Sequence, residues 1–186
     1  NSSTPVSYTW TTDTIAPASL SLTGTPASIT NINNATISAT ATDATTITYS
    51  YTLDGFASTG NLSALTEGSH TFTVTATDAA GNSSTPVSYT WTTDTIAPAS
   101  LALTGTPASI TNINTATIGA TATDTNGVTY SYRLDGVAST GSLTGLTEGP
   151  HTFVATATDG AGNASTTTYS WTTDYTAPTA SIVPAA

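Results

Sequence analysis

Carboxylates are the only abundant chemically active side chains in this sequence. Eleven Asp and Glu stand against a single Lys or Arg, for a formal net charge of -10. Their placement is periodic. Asp13, Asp43 and Asp78 return 81 positions later as Asp94, Asp124 and Asp159, and Asn82 returns as Asn163. Clustered carboxylates repel one another unless a cation sits among them. Calcium takes six to eight oxygens from carboxylates and carbonyls in a flexible geometry. The expected chemistry is therefore calcium binding by Asp13, Asp43, Asp78 and Asn82, and again by Asp94, Asp124, Asp159 and Asn163, with Glu67 close to where the first repeat exits. Turn capping accounts for the same residues without a metal, because Asp and Asn bond their own backbone. The spacing also lacks the dense D-x-D-x-D pattern of a dedicated calcium loop.

Other chemistry is less well provided for. His70 and His151 occupy the same corner after Glu-Gly. Two such histidines and no cysteine make a poor transition-metal site, so they read as corner hydrogen bonds. A Ser-His-Asp mechanism needs nucleophile and base within hydrogen-bond reach in a cleft, and these histidines belong to a repeated turn. The chain reads as non-enzymatic. Lysine–asparagine and threonine–glutamine cross-links are excluded, since there is neither Lys nor Gln.

The acids depend on strands to bring them together. In TATDAAGNSSTPVSYTWTTDTIAP, residues 75–98, period-two alternation runs up to Asp78 and resumes from Val87 to Trp91. Asp-Ala-Ala-Gly-Asn between them is turn chemistry, and Asp94 to Pro98 breaks the sheet. The run recurs at Thr156 to Pro178, and its second half opens the chain. In strands alternating up and down, one strand rises to Asp43 and another to Asp78, so both meet linker Asp13 at one end. Asp54 and Glu67 fall at the other.

Taken in order, residues 1–13 read as the last strand of a preceding repeat plus linker. Residues 14–94 are one full repeat, 95–174 a second, and 175–186 the start of a third. The first full repeat predicts strands at 19–22, 35–42, 47–53, one or two within 56–65, then 69–77 and 87–91. Leu20, Leu22, Ile37, Tyr51, Leu53, Phe72, Val74, Ala76, Val87, Tyr89 and Trp91 point inward, and so does Phe56, which becomes Val137 in the copy. Thr71, Thr73, Thr75 and Thr77 point outward. Seven short strands with turns every 8–12 residues predict an all-β fold of tandem immunoglobulin-like β-sandwiches.

Composition limits the function classes. The charge nearly excludes nucleic-acid binding through phosphates, and the apolar runs are far too short to span a membrane. Cysteine and methionine are absent and about a quarter of the residues are Thr. That removes disulfides and the main oxidation-prone side chains, which suits a long-lived extracellular protein.

The LDG turn, the LTEGxHT corner, the ATDxAGN turn and the YxWTTDxxAP exit, present in both repeats, resemble those of tandem bacterial Ig-like repeats in large adhesins and other cell-surface proteins. The resemblance implies an extracellular stalk or fibre segment that spaces a distal domain. Its partners would be neighbouring repeats or other copies of the chain, with calcium stiffening the junctions. Two other readings stand beside it. One is a filament or surface-layer subunit that donates its N-terminal strand. The other is a module that binds ice or host and surface glycans through its threonine rows or its Trp-Tyr strands.

Overall fold

The structure, a computed structural model, describes residues 2–181. Every regular element among them is a β-strand. The chain folds as two compact units, Asn1–Thr95 and Ile96–Ala186.

The first unit contains β1 (Ala18–Thr23), β2 (Ile29–Thr30), β3 (Ala35–Thr36), β4 (Ser38–Thr42), β5 (Thr48–Leu53), β6 (Phe56–Ser58), β7 (Asn61–Leu62), β8 (Gly68–Thr77) and β9 (Val87–Thr93). One layer is a five-stranded sheet in the order β2-β9-β8-β5-β6, and the other is made of the pairs β1-β4 and β3-β7. Between them lie Ile37, Leu62, Leu65, Phe72 and Trp91, flanked by Leu22, Tyr51, Leu53 and Tyr89. The second unit repeats this with β10 (Ala99–Thr104), β11 (Ile110–Thr111), β12 (Ala116–Thr117), β13 (Gly119–Thr123), β14 (Val128–Leu134), β15 (Val137–Ser139), β16 (Ser142–Leu143), β17 (Gly149–Asp159) and β18 (Ala164–Thr173). Its sheet order is β11-β18-β17-β14-β15, over a core of Ile118, Leu143, Leu146, Phe153, Ala155 and Trp171. The fold is all-β, a sandwich written twice.

Nine segments stand where seven strands were expected. The expected 35–42 strand breaks at Ile37, whose N–H bonds the Gly60 carbonyl at 2.9 Å. β3 then pairs with β7, while β4 pairs with β1, so the chain changes partner at that residue. β2 was not foreseen. Two residues are too few to show a period, yet they run parallel to β9, Ile29 opposite Thr92. Phe56 and Val137 are not inward. They follow the hairpin turn on an edge strand and are 79% and 70% exposed. Residues 1–12 were expected to look like a final strand, and the described part of them, 2–12, forms none. No strand occurs over 175–181 either, and the rest of the expected third repeat lies outside the described residues.

The Ile37 break depends on a glycine. Gly60 has φ +85°, and a Cβ there would lie 2.4 Å from the Ile37 carbonyl oxygen. Gly60→Ala is expected to destabilise the first unit by about 1–3 kcal/mol, the range for an L-residue held in a sparsely populated region. Urea unfolding checks this, and a wild-type midpoint would contradict it.

Candidate functional site: the acidic end of the sandwich

β8 positions the chemistry. Its inward row is His70, Phe72, Val74, Ala76 and, one residue past the strand, Asp78, all buried. Period-two alternation thus carries a histidine and an aspartate onto the core face at opposite ends. At about 3.4 Å per residue they are roughly 27 Å apart along the strand. β17 repeats the row as His151, Phe153, Ala155, Ala157 and Asp159.

At the Asp78 end, the linker brings Asp13 and the end of β4 brings Asp43. Each of the three offers a carboxylate oxygen, and these atoms all lie within 4.8 Å of one another. Most of the oxygens serve turns. Asp43 Oδ1 accepts from Thr45 N at 2.8 Å and Thr45 Oγ1 at 2.9 Å. Asp78 Oδ1 accepts from the N–H groups of Ala80 and Asn82, and its Oδ2 from Asn82 Nδ2 at 2.8 Å. Asp13 Oδ1 accepts from Ile15 N at 3.0 Å. Asp13 Oδ2 is different: it is buried and has no hydrogen-bond partner among the described residues. Burial pushes the Asp78 carboxyl up, but the Asn82 amide and the N–H groups of Asn82, Ala80 and Gly81 outweigh it and hold the group below the usual carboxylate range. An ionised carboxylate therefore sits against two others. An open hollow of about 380 Å³, lined by Asp13, Ile15, Ala16, Ala18, Thr42, Asp43 and Ala44, adjoins them.

Asn82 joins the group through its amide, which also donates to the Asp13 carbonyl at 3.1 Å. In the second unit Asp124 Oδ1 accepts from Asn126 N, and Asp159 is held by Ala161 N, Asn163 N and Asn163 Nδ2, the same turn again. Asp159 is likewise held low by these bonds, against burial. Asp94 is buried at the end of β9, its N–H on the Thr30 carbonyl. Glu67 is not with the three carboxylates of its unit. It accepts from Thr95 N and from the Thr95 hydroxyl, clasping the exit of β9, as Glu148 clasps Tyr175 N and Thr176 Oγ1.

At the opposite end is a pair that sequence reasoning split apart. Asp54-Gly55 is a two-residue hairpin turn with φ positive at both positions (51° and 84°), the signature of a type I′ turn. Asp54 Oδ1 accepts from Thr71 N at 2.7 Å, and Oδ2 lies 2.8 Å from His70 Nδ1. The other ring nitrogen, Nε2, lies 2.8 Å from the Thr66 carbonyl. Asp135, His151 and Thr147 repeat the arrangement. The signal was present in the sequence: Asp and His recur with the same spacing of 16 in both copies.

Trp91 and Trp171 are buried beneath these histidines at ring-centroid distances of 5.6 and 5.4 Å, so neither is a surface platform. Trp10 is exposed and stacks on Tyr8. Among the described residues no helix is long and apolar enough to cross a membrane.

No curated protein sequence matches the chain. Among solved structures, the fibronectin(III)-like modules of Clostridium thermocellum CbhA share 15% identity at a TM-score of 0.47, over 82% of this chain and 94% of theirs. A Ca2+-stabilized adhesin that helps an Antarctic bacterium reach out and bind ice shares 21% identity at a TM-score of 0.39, over 87% of this chain and 50% of that one. SGBP-B of the Bacteroides ovatus mixed-linkage glucan utilization locus, in complex with a mixed-linkage heptasaccharide, shares 19% at 0.32, over 78% and 41%. The family model of the bacterial Ig-like domain matches residues 9–95, so that stretch of the chain is similar to a bacterial Ig-like domain.

Proposed function

We propose that this chain is a spacer segment of a repetitive extracellular or cell-surface protein, and that Asp13, Asp43 and Asp78 hold a calcium ion. The spacer reading rests on the near-copying of one Ig-like sandwich along the chain. The polar groups that could do other chemistry are used inside it: both histidines and Asp54 and Asp135 in corner bonds, Glu67 and Glu148 on exit strands, and the Tyr89 hydroxyl on the Pro26 carbonyl at 2.7 Å.

The observation that carries the calcium reading is Asp13 Oδ2, a buried carboxylate oxygen with no hydrogen-bond partner among the described residues, beside two further carboxylates. A buried polar oxygen without a partner is costly, and a hard cation relieves it. The donors are all oxygen, which suits calcium rather than zinc or copper. The ion would tie the linker to the ends of β4 and β8 and so fix the direction in which the chain enters the sandwich.

Calorimetry and thermal unfolding test this. At a calcium concentration a hundredfold above Kd, binding stabilises by about 2.7 kcal/mol. For a module of this size each kcal/mol moves the melting temperature by about 4–8 °C. The transition of the first unit should therefore rise by about 10 °C or more, and Asp13→Asn should abolish the rise. No heat of binding and no change in melting at millimolar calcium would exclude the site.

A further inference from the structure

Residues 2–17 repeat residues 83–98 letter for letter, SSTPVSYTWTTDTIAP. The two copies are in opposite states. In the second, β9 pairs antiparallel with β8 over Val74–Val87 to Gly68–Thr93 and parallel with β2, and Trp91 is 2% exposed. In the first, no residue is in a strand, and Val6, Tyr8 and Trp10 are 98%, 82% and 75% exposed. Identical sequence means identical strand propensity, so the difference lies in the partner. The places that a strand of this sequence could fill in the two units are already taken by β9 and β18.

We infer that residues 4–12 are the closing strand of a further sandwich of this same repeat type, carried on the N-terminal side of the segment. The partner is defined by what β9 touches. It is a β8-type strand of pattern GSHTFTVTAT, whose histidine packs on Trp10 as His70 packs on Trp91, with a β2-type pair on the other edge. Thr9 would meet a threonine hydroxyl as Thr90 meets Thr71 at 3.0 Å. Supply in cis is favoured by the connection, because a turn of only Asp78 to Asn82 joins β8 to the run that contains β9. A strand tethered so closely faces its slot at an effective concentration in the millimolar range. A second copy of the chain offers only slots that its own strands fill. The pairing is independent of any cation at Asp13.

The test places residues 14–81 directly before residue 1 of the full chain, which recreates the Gly81–Asn82 junction. Hydrogen exchange is then measured over residues 4–12, with Trp10 emission as a second readout. The expected result is exchange slowed at least a hundredfold, to the level of 87–93, with emission shifted to the blue. Unchanged exchange over 4–12 overturns the inference. So does an added stretch that stays unfolded, since its proposed closing strand is present. In the unextended chain, protection of 4–12 that grows with concentration alongside a dimer in light scattering would place the strand in another copy and overturn the cis assignment.

Discussion

Trp91→Ala is expected to destabilise the first unit by about 3–5 kcal/mol, the usual loss for a buried aromatic cut back to a methyl group. Trp91 closes the core from β9. Its ring stacks near Tyr89 at 6.1 Å, tilts against His70 at 5.6 Å, and its Nε1–H donates to the buried Thr93 hydroxyl at 3.2 Å. Alanine keeps the strand but empties the space beneath the histidine. A module of this size holds about 4–12 kcal/mol in all, and the chain has no cysteine with which to staple it. The variant should therefore melt in two steps. The first unit should unfold far below its normal temperature, while the second, whose core is built from its own residues around Trp171, keeps its signal. Trp91→Phe retains a ring over His70 and should lose markedly less. Circular dichroism with Trp171 fluorescence resolves the steps, and a single transition at the wild-type temperature would contradict the assignment of Trp91 as the keystone of this core.

Trp91 also shows what the residues reveal by themselves. The alternation Val87, Tyr89, Trp91 and the row Phe72, Val74, Ala76 are long enough to fix a period, so the inward faces of the two central strands were legible. Strand polarity followed, and with it the meeting of Asp13, Asp43 and Asp78 at one end. Features that depend on one or two residues were not legible. The Ile37 break is set by a backbone carbonyl facing Gly60, and β2 is too short to carry a pattern. Phe56 reads as core by type, but the type I′ turn before it puts it on an edge strand in solvent. Glu67 was placed at the correct end, yet its partner, the backbone N–H of Thr95, has no side-chain signature. The Asp54–His70 pair was overlooked for the opposite reason. Both residues stand out in the sequence, but Asp54 reads only as an acid at the far end and His70 only as a corner hydrogen bond.

That pair predicts an unusual pH profile. A carbonyl oxygen only accepts, so His70 Nε2, 2.8 Å from the Thr66 carbonyl, carries a proton. A carboxylate only accepts too, so Nδ1, 2.8 Å from Asp54 Oδ2, is best served by a second. With both protons in place the ring is an imidazolium, the form that serves both acceptors. Burial works against that charge, but the bonds to Asp54 and Thr66 and the attraction of Asp54 outweigh it and raise the pKa of His70; His151 behaves alike with Asp135 and Thr147. Burial likewise opposes ionisation of Asp54, yet its bonds to His70 and Thr71 N hold it below the usual range. A raised histidine pKa means that the folded state binds the proton more tightly than the unfolded chain. Its stabilisation is complete below the unfolded value of about 6.5 and is lost as pH rises through the higher folded value. A lowered aspartate works the other way, complete above about 4 and lost as pH falls through the depressed folded value. Both units should therefore be most stable between about pH 4 and 6.5 and weaken towards pH 9, where a neutral ring can serve only one of its two acceptors. His70→Ala removes both bonds and a buried ring, an expected loss of about 3 kcal/mol at pH 6. His70→Gln with His151→Gln should flatten the profile between pH 6 and 9. Proton NMR titration of the two imidazoles decides the matter: values at or below 6.5, or a melting temperature that does not fall from pH 6 to 9, would show that the corner is held by a neutral ring.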